Sequence, residues 1–264
     1  MSRGLGDVYK RQVYYSFAST FTQLADKEID GYTFETKTTA GSVANLRLIS
    51  DGYIDLAIVQ ADLLSDAYNA TGTFADKKYQ KGYKAVASLY TECCQIVVRK
   101  DSGITGIDDL INKTVSVGAS ESGSEKNAEQ ILKMSGITDE LINKVNMDYT
   151  EAAEKLKAGE IDAFFCTAGT RTEVIGQLSK ECDICLIGLD DKCIDKMLSA
   201  YSLCEKYTIP AGTYNGQDSD VTTIGVKAVL IAKQSLSDDV IKNVTKTIYE
   251  HADDFKYATS CLLY

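Results

Sequence analysis

Asp51-Gly-Tyr-Ile-Asp-Leu-Ala-Ile-Val59 and Ala158-Gly-Glu-Ile-Asp-Ala-Phe-Phe-Cys166 follow one design twice. Each stretch comes after a short amphipathic helix pattern, carried by Val43, Leu46 and Ile49 in the first copy and by Ala152 and Leu156 in the second. Glycine then stands where the helix ends, the position at which a left-handed residue closes the last turn at least cost. A short apolar run follows, the pattern of a strand buried on both faces. Such a strand needs helices on either side, so the two stretches predict two α/β lobes of similar construction.

Setting Gly52 on Gly159 brings further features into correspondence. Gln60 falls on Thr167, the first polar residue beyond each strand. The helix around Phe17, Phe21 and Leu24 falls on the one running from Ser122 through Ala128, Ile131 and Leu132. Thr114-Val-Ser-Val-Gly-Ala-Ser-Glu-Ser122 supplies a strand and turn before the second of these helices. The matching place in the first half holds Met1 to Gln12 (MSRGLGDVYKRQ), which has no periodicity. Residues 1–12 and 260–264 resemble translated adapter sequence and read as non-native tails, with the native first strand missing or replaced and any export signal lost. Both are left out of the fold prediction.

Residues 13–93 with 235–258 read as the first lobe and 94–234 as the second. Ala85 to Tyr90 and Cys94 to Lys100 read as strands separated by a polar break, forming the first crossing between lobes. Val221 to Lys233 reads as a long return strand, and Asp238 to Phe255 as a closing helix with Val240, Val244 and Ile248 on its apolar face. Two crossings predict a hinge. Solutes in open α/β sheets bind beyond the carboxyl ends of the strands, so a ligand cleft between the lobes is expected.

Composition narrows the function. The chain has 264 residues, 44% of them hydrophobic and 25% charged, which suits a globular protein with room for two cores. Its 38 acidic and 28 basic residues give a net charge of −10, which repels a phosphate backbone and argues against nucleic acid as a partner. No apolar run approaches the roughly 20 residues of a membrane-spanning helix. The eight cysteines (Cys93, Cys94, Cys166, Cys182, Cys185, Cys193, Cys204, Cys261) are scattered, and several fall inside predicted strands as small apolar side chains. Cys182-x-x-Cys185 has no second ligand pair at zinc spacing, so neither a metal nor a cofactor is predicted. His251, the single histidine, has no nucleophile near it in sequence, and no Gly-x-Ser-x-Gly or Gly-x-x-x-x-Gly-Lys motif occurs. An enzyme is therefore not predicted.

The strongest local signal is Gly118-Ala-Ser-Glu-Ser-Gly-Ser-Glu-Lys-Asn127, directly after a strand and opening a helix. Amides at a helix start carry partial positive charge, so Ser122, Gly123 and Ser124, with Asn127 one turn on, are candidates to hold a carboxylate. A serine here also serves simply as the cap of its own helix. Gly41, Ser42 and Asn45 open a helix of the first lobe in the same style, with the same alternative. Gln60 and Thr167, Ala168, Gly169 and Thr170 lie just past the paired strands, where small residues admit a ligand to the backbone. Tyr14 and Tyr15 begin the first helix, placed either to stack on a ligand or to fill the core.

Beyond these readings, several stretches resemble the TAXI family of receptors that serve TRAP (tripartite ATP-independent) transporters. They are Val13-Tyr-Tyr15, Gly41-Ser-Val-Ala-Asn-Leu-Arg47, Asp55-Leu-Ala-Ile-Val-Gln-Ala-Asp62, Ala87-Ser-Leu-Tyr90 with Gln95-Ile-Val-Val-Arg99, Val115 to Ala128, Phe164 to Gly169, and Ile209-Pro-Ala-Gly-Thr-Tyr214. Together they cover nearly all of residues 13–258. The resemblance implies a type II periplasmic-binding-protein fold, export from the cytoplasm to the periplasm or the outer face of the membrane, and TRAP membrane subunits as partners. It also implies a small anionic solute such as glutamate, 2-oxoglutarate or another dicarboxylate. A precursor-synthesis enzyme, or the effector lobe of a transcription regulator, would use the same fold differently. Three departures stand out: no glycine-rich segment precedes Tyr14-Tyr15, Ser120-Glu-Ser122 replaces a Pro-Gly-Ser type of turn, and Arg171 takes a place often held by proline.

Overall fold

The computed structural model describes residues 2–6, 13–76 and 82–259, and side chains within 14–76 and 82–255. The chain divides into two compact units, residues 1–91 with 227–264, and residues 92–226. In chain order the first unit contains β1 (Ser2–Gly6), α1 (Val13–Glu28), β2 (Thr33–Lys37), α2 (Ser42–Ser50), β3 (Leu56–Gln60) and α3 (Ala61–Asn69). Strand β4 (Tyr83–Arg99) leads into the second unit, which adds β5 (Thr114–Ser116), α4 (Gly123–Met134), β6 (Asn143–Val145), α5 (Tyr149–Ala158), β7 (Ala163–Ala168), α6 (Glu173–Glu181), β8 (Ile184–Ile187), α7 (Asp191–Ala200) and β9 (Cys204–Ile209). Strand β10 (Val221–Lys233) returns to the first unit, which closes with α8 (Asp238–Glu250) and α9 (Ala252–Thr259).

The two units are wired alike. In the first, β1 lies parallel between β2 and β3, and β3 runs antiparallel to β10, giving the order β2-β1-β3-β10. In the second, β5 lies parallel between β6 and β7, and β7 runs antiparallel to β4, giving β6-β5-β7-β4. Strands β8 and β9 then add antiparallel pairings to β4 and β10. Matching turns follow the matching glycines. Gly52 N donates to Ile49 O and Tyr53 N to Leu48 O, while Gly159 N donates to Leu156 O and Glu160 N to Lys155 O. Both glycines take left-handed φ values, +82° and +75°, so both helices stop on the same paired cap before the strand begins.

Period-two alternation sorts the buried strands between core layers. All five residues of β3 are buried. Leu56 and Ile58 face a layer built with Phe17, Phe21, Leu230 and Val244, whereas Ala57 and Val59 face Leu46, Ile49, Leu63 and Phe74. In the second unit Ala163 and Phe165 of β7 join Val115, Val117, Ile131 and Met197. Removing a side chain such as Phe165 from this layer would cost about 3–5 kcal/mol, because the vacated space cannot fully collapse.

Three expectations are corrected. Ser2–Gly6, set aside as part of a tail, pairs its backbone with β2 and β3 and takes the place of the first strand; residues 7–12 and 260–264 lie outside the described residues. The polar break predicted after Tyr90 does not interrupt the sheet, since β4 continues through it. Thr91 and Glu92 are both buried, and Thr91 Oγ1 accepts from Lys227 Nζ at 2.6 Å. The division between the units runs through β10 between Val226 and Lys227, so the C-terminal residues of that strand belong to the first unit. The closing helix is two helices, with His251 at the break.

His251 also explains how α9 is held. Its Nε2 lies 2.6 Å from Glu28 Oε1 of α1 and its Nδ1 lies 3.0 Å from Asp254 Oδ2 of α9. Thr247 Oγ1 donates to Glu28 Oε2, and Phe255 stacks on Phe17 at 4.4 Å. With carboxylates facing both ring nitrogens, only the imidazolium can donate to both. The hydrogen bond to Glu28, then that to Asp254, raises the His251 pKa above its ordinary 6.5, and His251 lowers that of Glu28 below 4.5. The histidine's contribution is therefore complete below about pH 6.5 and is lost as pH rises through the raised value; that of Glu28 is lost as pH falls through the depressed one. Amide exchange in α9, corrected for intrinsic rates, should be slowest near about pH 5–6 and faster in alkali. His251→Gln should remove the alkaline limb, as hydrogen-exchange mass spectrometry would show.

Candidate ligand site

In the first unit the predicted residues gather where α2 begins and β3 ends. Gly41 is the N-cap of α2 and is half-buried. Ser42 is buried, and its Oγ accepts from Gln60 N at 3.1 Å. Asn45 is fully buried and uses both ends of its carboxamide: Nδ2 donates to Ile58 O at 2.8 Å, and Oδ1 accepts from Thr39 Oγ1 at 2.6 Å. These side chains stitch the first turn of α2 onto the strand end and so set the backbone of Gln60. Gln60 is buried. Tyr14 packs into the core beside Phe17, while Tyr15 is half-buried.

The second unit solves the same problem with a different helix. Thr167 N, at the register position of Gln60, donates to Ser124 Oγ of α4 at 2.8 Å. Tyr149, at the register position of Ser42, donates its hydroxyl to Thr167 O at 3.0 Å and is bonded to Ser124 Oγ as well. Both backbone groups of Thr167 are thus held by buried hydroxyls, and burial pushes the Tyr149 phenol far above its ordinary range. Ser122 acts as the N-cap of α4, its Oγ accepting from Glu125 N at 3.1 Å. Gly123 is buried, and Asn127, fully buried, donates to Gln130 Oε1 at 3.3 Å. The cap reading therefore describes Ser122, and a stitching role describes Ser124.

Space decides the turn before α4. Gly118 has φ +102°, and a Cβ there would lie 2.8 Å from Ser124 Cβ and 3.2 Å from Glu125 N. Asn146 Nδ2 donates to Gly118 O and to Glu125 Oε1, both at 2.9 Å, and Glu125 Oε2 accepts from Glu121 N. The Ser122-x-x-Glu125 spacing is a local signal that could have found this cap; the partner Asn146 lies too far along the chain to be paired by pattern.

Thr167 and Ala168 are the last two residues of β7, and Gln60 the last of β3, rather than residues just past the strands; from Thr167 to Thr170 the chain goes from buried to half-buried. It leads into Arg171, exposed to solvent with φ +65°, and Thr172, the N-cap of α6. Sequence reasoning missed what holds this turn. Thr172 Oγ1 donates to Gly169 O at 2.7 Å and accepts from Gln95 Nε2 at 3.0 Å, while Tyr214 OH accepts from Thr172 N at 3.0 Å and donates to Gln95 Oε1. Nothing local in the sequence links Gln95 to Tyr214.

The nearby thiols are unsuited to chemistry. Burial pushes the Cys94 pKa up to about 12 and that of Cys166 higher still, so both stay protonated and non-nucleophilic. Among the described residues no group of three or more His, Cys, Asp or Glu gathers as a metal site. A hollow of about 90 Å³ elsewhere in the second unit is lined by Ile107, Met134, Ser135, Cys193 and Lys196 and includes none of the predicted residues.

Residues 10–262 match the model of a protein family described as NMT1-like. The chain belongs to the NMT1-like family. Solved structures resemble this NMT1-like chain over nearly its whole length. One is described as a putative L-cystine ABC transporter from Listeria monocytogenes, 15% identical, with a TM-score of 0.62 over 98% of this chain and 94% of that one. Another is the probable amino-acid ABC transporter extracellular-binding protein ytmK from Bacillus subtilis, 15% identical, TM-score 0.57, over 98% and 96%. A third is an ancestral arginine-binding protein bound to arginine, 15% identical, TM-score 0.60, over 98% and 96%. Likeness at this level establishes the fold: the NMT1-like chain has the type II periplasmic-binding-protein fold.

Ser124→Ala should leave Thr167 N without its acceptor and destabilise the protein by about 1–3 kcal/mol in urea unfolding, with Ser42→Ala acting similarly on Gln60 N. Gly118→Ala, strained in both space and dihedral, should cost more than about 1 kcal/mol in the same measurement.

Proposed function

We propose that this NMT1-like protein is the extracytoplasmic solute-binding component of a membrane transporter and releases its solute unchanged. The observation that carries this reading is the repeated strand end. Ser42 holds Gln60 N in one unit and Ser124 holds Thr167 N in the other, each at the carboxyl end of a central strand. Those ends are where open α/β sheets receive small molecules. Residues used to fix backbone, rather than to perform chemistry, suit a protein whose task is recognition. Protonated, buried Cys94 and Cys166 fit the same reading.

The solute we propose is a small anion such as glutamate or 2-oxoglutarate. Support comes from the start of α4, where Ser122, Gly123 and Ser124 open a helix of twelve residues whose dipole favours negative charge. The membrane partner we propose is a TRAP transporter of the TAXI type, on the resemblance spanning residues 13–258. Solved relatives of the same fold are described as parts of ABC transporters, so membrane subunits of that class are the competing partners. The candidate surfaces are Gly41, Ser42, Asn45 and Gln60 with Tyr14 and Tyr15 in one unit, and Ser122 to Asn127 with Thr167 to Thr170 in the other.

Isothermal titration with L-glutamate, 2-oxoglutarate, L-arginine and L-cystine tests the reading. One of the two acids should bind with micromolar affinity, about −8 kcal/mol, and be recovered intact. Preference for arginine or cystine would overturn the anion assignment, binding of none of the four would overturn solute capture, and a changed ligand mass would make the protein an enzyme.

A further inference from the structure

We propose that Gln95, Thr172 and Tyr214 are positioning residues that hold the Thr167–Thr170 edge in the shape that meets a solute. The proposal rests on the solute-binding reading and adds to it residues that no pattern assigns. Each of the three side chains is buried, at 0%, 2% and 5% exposure. They close a ring in which every direction is fixed. Thr172 gives its only hydroxyl proton to Gly169 O and so can only accept from Gln95 Nε2. Tyr214 gives its only proton to Gln95 Oε1 and so can only accept from Thr172 N. No member can be turned over without breaking two bonds.

The parts of this ring come from three distant places. Gln95 lies on β4 opposite Cys166, one step along β7 from Thr167. Thr172 stands directly after Arg171, whose left-handed φ of +65° has to be imposed on the turn. Tyr214 comes from the loop between β9 and β10, most of which is exposed. That loop is braced from within and from α6: Gly212 N donates to Gln217 O and Ala211 N to Asp220 Oδ1, both at 2.8 Å, and Asn215 Nδ2 donates to Ser179 O at 2.9 Å. An exposed loop braced this way delivers one buried hydroxyl to one turn. A core needing only to be filled would be served by phenylalanine and valine, without the cost of burying three polar side chains.

Tyr214→Phe keeps the ring packing and removes the hydroxyl; Thr172→Val keeps the shape and removes the relay; Thr172→Ser keeps the relay. Affinity would be measured by calorimetry, well below the unfolding midpoint, with whichever of glutamate, 2-oxoglutarate, arginine and cystine binds the unaltered protein most tightly. Tyr214→Phe and Thr172→Val should each weaken binding about tenfold, the size of one lost hydrogen bond, with Thr172→Ser close to the parent. Exchange of the Thr172 amide should quicken in Tyr214→Phe. A purely structural role would lower the midpoint and leave the affinity of the folded protein alone, so folded Phe and Val variants binding within about twofold of the parent would overturn the proposal. If one variant does not fold, the other decides. If the unaltered protein binds none of the four, the solute-binding reading fails and this proposal falls with it.

Discussion

Everything at the candidate site depends on where two strands stop. A strand in the middle of a sheet has its amides and carbonyls taken by its neighbours; towards its end that supply runs out, and a buried amide left unpaired is costly. Serine hydroxyls from adjacent helices meet that need at Gln60 and at Thr167. The consequence is geometric. A strand end that must be satisfied by a helix start keeps the two together, so the amides at the mouth of α2 or α4 occupy a fixed place relative to the strand. A solute meeting such an edge meets backbone already ordered, which lowers the entropy cost of binding.

The two units reach this result with different side chains. Ser42 sits on the helix that immediately precedes its strand, whereas Ser124 sits on a helix further back in the chain. In the second unit Tyr149 takes the register place of Ser42 and binds the carbonyl of Thr167 while Ser124 binds its amide. The serine stands on a different helix and the hydrogen bond to the strand-end amide is the same.

Much of the fold could be read from the sequence because its signals are local. Helix ending on Gly52 or Gly159, strand following, and a serine opening the next helix at Ser122 are all signals of neighbouring residues. The limits of β10 were legible for the same reason, being a long alternating run between loops. What could not be read depended on partners far along the sequence. Ser2–Gly6 has a strand's backbone because β2 and β3 flank it, although its composition favours no structure. Thr91 and Glu92 look like a break until they are buried in the middle of a long strand. His251 ends α8 within an unbroken apolar pattern, and its role appears only when Glu28 and Asp254 are beside it. At the site the residue types were legible and their partners were not: Asn45 was recognised as polar at a helix start, but not that Ile58 and Thr39 already occupy it.

This last difference bears on how affinity can be tuned in such a protein. Side chains fully engaged with their own unit cannot be exchanged to suit a new solute without first destabilising the strand end they hold. Ser42, Asn45 and Ser124 are in that position. Arg171 is not, since it is exposed. Change of solute class is therefore cheapest at residues that border the stitched edge without holding it, and dearest at the serines.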